Sequence, residues 1–290
     1  MQAVPLDPKH PDFAVLSVLS EVILRQAGGW EHFAHYLPHL IRRSIDEVID
    51  TPRTNRFTLV DTEKTEKTYL GTKIEILLRS YLKLPKGKIL DLSVDGTEVD
   101  IKNTMGINWS IPTEADGHPC LLVKEKEVTA KCSVGLIVIK NEYLNPGKNK
   151  DSKRTISAAG RNNIWWLLHD HPYPPNYWHS MPLAQRQAIM DAGQGTARLA
   201  AFFTAIQRRR ISRLVIESIA QQYDPLKRVR RNGGARDLLA PQGIAILWGK
   251  KDRRLIKKLG LGPVGPDEFI SYQPTDPAHI ALLKAANHID

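Results

Sequence analysis

The stretch Leu90-Asp91-Leu92-Ser93-Val94-Asp95-Gly96-Thr97-Glu98-Val99-Asp100-Ile101-Lys102 alternates apolar and polar residues on either side of one Asp-Gly pair. Period-two alternation marks strands with one buried face, and Asp-Gly between two such runs signals a two-residue type I′ hairpin turn. A turn of that type fixes the pairing: Val94 faces Thr97, Ser93 faces Glu98, Leu92 faces Val99 and Asp91 faces Asp100. Two carboxylates are thereby set opposite one another at a Cβ separation of roughly 4.5–5.5 Å, where like charges destabilise a sheet unless something neutralises them. A hard divalent cation does so, and Mg²⁺ characteristically takes one or two carboxylates together with waters and substrate phosphate. Lys102, two residues past Asp100, projects from the same face. An ammonium beside metal-bound carboxylates orients a water for attack on phosphorus and stabilises the charge that develops. The pattern predicts a Mg²⁺-dependent phosphodiesterase centre at Asp91, Asp100 and Lys102.

Upstream, Leu70, Ile74, Leu77, Leu78, Tyr81 and Leu82 recur at helical spacing and predict an amphipathic helix over Thr65–Leu82. Glu75, next to Ile74, is a fourth member that reaches the metal directly or through water. Its competing reading is a capping box, Thr72-Lys73-Ile74-Glu75, in which the glutamate bonds a helix-end amide. Asp95 reads as the turn aspartate and Glu98 as an exposed strand residue. The alternative for the whole acidic face is a surface salt-bridge cluster with Lys102.

Further out, Val15, Val18, Leu19, Val22 and Ile23 predict another helix, Cys120–Val123 and Val134–Ile139 two buried strands, and Ser157–Leu168 a closing helix. Helix, hairpin, two strands and helix in that order imply an α/β (α+β) domain with a mixed sheet flanked by helices. The two cysteines, Cys120 and Cys132, are too few for a four-thiolate metal site and read as reduced, half-buried strand thiols. The apolar run Phe13–Leu24 is interrupted by Ser17, Ser20 and Glu21 and lacks a basic leader. It predicts no signal peptide and no membrane helix, hence a cytoplasmic protein.

The 290 residues carry 41 Lys+Arg against 31 Asp+Glu, a formal charge of +10 that points to a polyanionic partner, nucleic acid first. The charge is uneven: residues 1–170 hold 23 basic and 22 acidic side chains, residues 171–290 hold 18 and 9. The change falls at His171-Pro172-Tyr173-Pro174-Pro175-Asn176-Tyr177, where three prolines favour extended backbone. Expected domains are therefore 1–171, a Pro-rich linker 172–182, and a basic helical domain 183–290. Within the latter, Ala197–Ile206 and Ile211–Tyr223 read as consecutive helices and Asp252–Leu259 as a third, a pattern like winged-helix or helix-turn-helix DNA readers. Arg208, Arg209 and Arg210, then Lys227, Arg228, Arg230 and Arg231, then Lys250, Lys251, Arg253 and Arg254 form three clusters suited to DNA phosphates. Gly233 and Gly234, between Arg231 and a further candidate DNA contact, Arg236, would let a loop backbone approach the duplex. Lys64 and Lys67 are candidate phosphate contacts nearer the acidic site. Trp165, Trp166 and Trp178 read as packing residues, and His169, His171 and His179 as structural or exposed.

Lys64-Thr65-Glu66-Lys67-Thr68-Tyr69-Leu70-Gly71-Thr72 with Glu75, Asp91 and Val99-Asp100-Ile101-Lys102 resembles the NaeI restriction endonuclease family. A second block resembles it too: Ala220-Gln221-Gln222, Lys227-Arg228-Val229-Arg230, Gly233-Gly234-Ala235-Arg236 and Pro241-Gln242-Gly243-Ile244. The likeness runs from about Asp46 to Leu261. It implies a restriction-endonuclease-like PD-(D/E)xK core with Glu75, Asp91, Asp100 and Lys102 at its centre. It also implies a C-terminal topoisomerase-like domain similar to the helix-turn-helix of catabolite activators. By the same resemblance the protein would be a Mg²⁺-dependent homodimer engaging two double-stranded DNA sites. The expected function is a type II, two-site (type IIE-like) restriction endonuclease cutting a short palindromic sequence and leaving 5′-phosphate ends. The chain departs from the family at Ile101 and in its tail after Leu261. A non-catalytic DNA-binding regulator, or a repair or topology enzyme on the same fold, are the rival readings.

Overall fold

The computed structural model describes residues 7–222 and 224–290. It divides into two compact units, one formed by the chain through Val48 and Thr62–Asn176, the other by Ile49–Asp61 and Tyr177–Asp290.

The first unit begins with α1 (Phe13–Gln26) and α2 (Trp30–Ile49). In α1 the buried stripe is Leu16, Leu19, Val22 and Ile23, so Val15 and Val18 lie on the exposed side. Helix α2, for which the sequence raised no expectation, buries Phe33, Leu37, Ile41 and Ile45 although Pro38 stands inside it. Proline cannot donate to the carbonyl four residues earlier, and the His171 ring bonds that carbonyl, Ala34, instead. After the short α3 (Thr51–Thr54), which belongs to the second unit, the chain returns in α4 (Lys64–Leu82). A capping box at Glu63 and Glu66 starts α4, and Lys83 in the left-handed region, φ 52°, ends it. Leu70, Ile74, Leu78 and Leu82, four apart, form its buried line. Glu75 is thus deep inside the helix, and the Thr72–Glu75 capping reading is wrong: the box lies nearer the N-terminus, at Glu63 and Glu66.

Strands β1 (Leu92–Val94), β2 (Thr97–Thr104), β3 (Ser110–Ile111), β4 (Pro119–Lys126), β5 (Lys131–Val138), β6 (Leu144–Lys148) and β7 (Arg154–Ile156) follow, then α5 (Ala158–Asn162) and β8 (Trp165–Pro172). The main sheet has the order β1-β2-β4-β5-β8; β2 and β4 run parallel and the other pairs antiparallel, so the sheet is mixed. The hairpin register is Leu92 to Val99, Ser93 to Glu98 and Val94 to Thr97, as the Asp-Gly turn requires. Asp95 and Gly96 both have positive φ, 48° and 79°, the signature of type I′. The expected helix Ser157–Leu168 is corrected: helix stops at Asn162, and Trp165-Trp166-Leu167-Leu168 extend as β8. A short apolar run carries no period that separates helix from strand. Here β5 decides, because Gly135 leaves room for β8; a Cβ there would meet Ile164 at 2.5 Å and Trp166 at 2.9 Å. Cys120 and Cys132, on β4 and β5, are fully buried rather than half-buried. Strands β3, β7 and β6 make a small antiparallel sheet.

The second unit contains α6 (Leu183–Asp191), α7 (Thr196–Ala205), β9 (Arg210–Ser212), α8 (Arg213–Ala220), α9 (Ala235–Leu239), β10 (Ala245–Trp248), α10 (Arg253–Lys258), β11 (Glu268–Tyr272) and α11 (Pro277–Ala285). It is less purely helical than expected, since β10, β11 and β9 form an antiparallel sheet. Helix α8 starts after Ser212, whose hydroxyl accepts the Val215 amide; Tyr223, where that helix was expected to end, lies outside the described residues. The core gathers Leu199, Phe202, Phe203, Ile216 and Phe57. Tyr177, Trp178 and Met181 are buried in it as well, so the second half of the stretch read as a linker is core. Phe57 packs on Trp178 at 5.2 Å between ring centres, which explains why 49–61 folds with this unit despite its place in the chain. Among the described residues no helix is long and apolar enough to cross a membrane.

Candidate active site

Four side chains singled out in the sequence come together in the first unit. Asp91 ends the loop between α4 and β1, Asp100 and Lys102 stand two apart on β2, and Glu75 looks out from α4, which packs on that strand. Asp91 Oδ2 accepts the Ile101 amide at 2.9 Å, fastening the loop to β2. The Asp91 carboxyl group also hydrogen-bonds with Asp100 and with Glu75. Lys102 Nζ lies 2.6 Å from Asp100 Oδ1 and 3.6 Å from Asp91 Oδ2. Arg79, one turn beyond Glu75, approaches that carboxylate at 3.7 Å and donates to the Asp91 carbonyl at 3.4 Å.

The electrostatics follow from burial and crowding. Burial, then the hydrogen bond with Asp91, pushes the Asp100 carboxyl up to about 7 against the pull of Lys102. Burial acts upward on Asp91 too, but is outweighed by the hydrogen bonds from Asp100 and the Ile101 amide and by the Lys102 charge, so Asp91 sits below the usual carboxylate range. Glu75 is raised by burial and then by the Asp91 charge. Burial works against the Lys102 cation, yet the Asp100 contact wins and holds it above the ordinary lysine value. Near neutrality Asp100 therefore still holds its proton part of the time beside an ionised Asp91, while Lys102 stays an ammonium.

A divalent cation is the natural replacement for that proton. Among the described residues no set of three or more His, Cys, Asp and Glu side chains forms a ready metal cage. Two carboxylates with Glu75 behind one of them nonetheless suit Mg²⁺, which fills its other positions with water and phosphate oxygens. The donor set is all oxygen, as a hard cation prefers, and the residues fit the ion.

Three neighbours escaped the sequence reading. Arg79 was legible, since i and i+4 neighbours on a helix meet. Cys120 was not: it aligns with Asp100 only through the parallel β2–β4 register, which sets its sulfur 4.0 Å from Asp100 Oδ2. Glu98, expected as an exposed strand residue, instead accepts the backbone amides of Lys88, Ile89 and Leu90.

The cationic candidates are dispersed. Lys64 and Lys67 lie at the start of α4, two to three turns before Glu75. In the second unit Arg208, Arg209 and Arg210 are exposed, Arg208 resting over the Tyr272 ring and Arg209 over Tyr177. Lys227, Arg230 and Arg231 are exposed and Arg228 partly so. Arg236 differs from the expectation: its guanidinium pairs with Asp252 at 3.3 Å and is mostly buried. Gly233 donates its amide to Asp237 Oδ2 at 2.6 Å, and a Cβ on Gly234 would strike the Arg230 carbonyl at 2.0 Å. Both glycines are accounted for by the turn itself. Lys250, Lys251, Arg253, Arg254 and His288 line an open recess of about 570 Å³.

Comparison with known proteins joins these observations. The family model described as restriction endonuclease NaeI matches residues 31–278, past the Leu261 limit of the sequence likeness. The type II restriction enzyme NaeI of Lentzea aerocolonigenes is 34% identical over 231 residues, covering 77% of this chain and 73% of that protein. A match of that extent spans both the acidic hairpin and the basic second unit, and the mixed α/β fold agrees with a restriction-endonuclease-like core. The chain belongs to the NaeI restriction endonuclease family, and is by that membership a type II site-specific deoxyribonuclease.

Proposed function

We propose that Glu75, Asp91, Asp100 and Lys102 are the centre at which this enzyme hydrolyses DNA, with Mg²⁺ as cofactor. The observation that carries the reading is the Lys102 ammonium, 2.6 Å from one of two facing carboxylates and 3.6 Å from the other. Asp91 and Asp100 would hold Mg²⁺ with help from Glu75, and when bound the ion supplies charge neutralisation at the scissile phosphate and acidifies water. Lys102, a permanent cation, acts as donor and not as base: it orients the attacking water and stabilises the charge growing on the phosphoryl oxygens. The Ile101 amide keeps Asp91 aimed at the site, and Arg79 screens the Glu75 charge from it. Attack of water on phosphorus with loss of the 3′ oxygen leaves 5′-phosphate and 3′-hydroxyl ends.

The partner is double-stranded DNA. Cations of the second unit, on Arg208–Arg210, Lys227–Arg231 and the Lys250–Arg254 recess, supply phosphate contacts, and its α7 and α8 would serve as a helix-turn-helix-like reader in a topoisomerase-like domain. A homodimer that engages two copies of a short palindromic site, one cleaved and one activating, completes the proposal. The test is digestion of a sequenced plasmid with purified protein, with Mg²⁺ and with chelator. Fixed cut positions that require the ion support the reading. DNA retardation with no cutting in any divalent cation would refute the catalytic assignment.

A further inference from the structure

Glu98 shares a strand face with Asp100 and Lys102 and so looks at first like one more acid for the metal. Its oxygens are engaged elsewhere. Oε1 accepts the Lys88 amide at 2.7 Å, and Oε2 accepts those of Leu90 at 2.8 Å and Ile89 at 3.2 Å. Three consecutive amides converging on one carboxylate form an anion nest, here closed on an anion the chain itself supplies. Those bonds, the Leu90 amide foremost, hold the Glu98 carboxyl below its usual range.

Gly87 completes the arrangement. A Cβ at that position would lie 2.3 Å from Glu98 Oε2, 2.6 Å from the Leu90 carbonyl and 2.9 Å from the Leu92 carbonyl. Only a glycine lets the loop close on the carboxylate. Between the buried Leu84 and Leu90 the loop gains little order from side-chain burial, since Pro85, Lys86, Lys88 and Ile89 are exposed, Ile89 at 73%. Its backbone is tied at one end by the Ser93 amide to the Pro85 carbonyl, 3.0 Å, and at the other by Glu98. The residue that follows the clamped triplet is Asp91.

The geometry points to Glu98 and Gly87 as a clamp that sets Asp91 against Asp100; Glu98 is a positioning residue of the reaction and not a metal ligand. This rests on the reading of Asp91 as a metal-holding carboxylate. Because displacement of a reacting group by about 1 Å costs on the order of 100-fold in rate, loosening the loop acts on turnover and ion use while leaving the DNA-binding surfaces alone.

The test is Glu98→Gln, which keeps the shape but turns an N–H donor toward the nest. Hydrogen exchange at the Lys88, Ile89 and Leu90 amides should accelerate at least tenfold. The Mg²⁺ concentration for half-maximal cleavage should rise about tenfold and kcat fall ~10–100-fold, with DNA affinity in the absence of divalent cation unchanged within twofold. Gly87→Ala should give the same signature, and Glu98→Asp, charged but too short to reach all three amides, an intermediate one. Ile137→Val, a core change in β5, should lower the melting temperature without moving the Mg²⁺ dependence. Wild-type exchange at the three amides, or wild-type kcat and Mg²⁺ dependence, in Glu98→Gln would overturn the clamp. If the unmodified protein cuts no DNA in any divalent cation, the nuclease reading fails, and amide exchange alone then decides whether Glu98 orders the loop.

Discussion

Glu125 is an acid displaced far above its ordinary value outside the candidate site, and its replacement by glutamine gives a quantitative test of how the first unit is built. The side chain is fully buried on β4; its Oε2 accepts from Asn103 Nδ2 at 3.1 Å, and among the described residues its Oε1 has no hydrogen-bond partner. Burial pushes the carboxyl up from 4.5 to about 8, so at neutral pH the folded protein keeps the proton that the unfolded chain has released. The unfolded state then binds fewer protons, and stability falls as pH rises from about 4.5 to about 8, levelling off on either side. Each pH unit inside that window costs about 1.4 kcal/mol, which accumulates to roughly 3–4 kcal/mol between pH 5 and pH 8. Glutamine never ionises and lacks this slope. Any constant cost of burying its amide, about 1–3 kcal/mol for an unpaired group, is the same at every pH and cancels in the comparison. Urea unfolding of wild type and Glu125→Gln at pH 5, 6, 7 and 8 should therefore give stability curves that diverge, the variant gaining on the wild type as pH rises. Curves that stay parallel within about 1 kcal/mol would mean that Glu125 is ionised in the folded state and that a buried cation or water network compensates it.

Asp100→Ala should abolish cleavage, by a factor of 1,000 or so at least on the order expected for loss of a principal electrostatic group, while DNA retardation persists in Ca²⁺; full activity would remove Asp100 from the mechanism. Lys102→Met should lower single-turnover cleavage about 100–1,000-fold with DNA affinity intact, and raising the pH should not rescue it, because Lys102 is held above its ordinary pKa by Asp100 and works as a cation. Reversing the charges of Lys227, Arg228, Arg230 and Arg231 should weaken binding to all sequences and flatten the log–log salt dependence by about 0.9 for each phosphate no longer neutralised; an unchanged slope would put the DNA-binding surface elsewhere.

The hairpin was readable because its information is local. Asp95-Gly96 dictates one turn geometry, that geometry dictates the register from Val94–Thr97 to Leu92–Val99, and Asp91 follows directly on from the last of those pairs, opposite Asp100. Glu75 was a weaker inference because a helix position says which face a side chain takes but not which strand it meets. Where the reading failed, the deciding contact was distant. Pro38 hid α2, whose released Ala34 carbonyl is satisfied by His171 from the far end of the unit. The apolar run at Trp165–Leu168 became a strand because β5, with Gly135, offers it an edge. Phe57 joins the second unit through Trp178, across more than a hundred residues, and nothing near Phe57 announces it. Arg236 read as a free cation because Asp252, sixteen residues on, could not be placed beside it.

The division of charge between the two parts of the chain has a physical cause in the site. A pocket of three carboxyl groups repels a polyanion, and Lys102 and Arg79 only balance what the acids contribute locally. The acids cannot be dispensed with if they are to hold a divalent cation, so attraction to DNA has to come from elsewhere. Residues 171–290 carry 18 basic against 9 acidic side chains, whereas residues 1–170 are almost balanced at 23 and 22. Phosphate contacts release counterions and weaken steeply with salt, while charges inside a half-buried site are screened far less. On the proposed reading affinity and chemistry are under separate control: ionic strength would govern capture of DNA by the cations of the second unit, and proton and metal occupancy of Asp91 and Asp100 would govern what happens once the phosphate arrives.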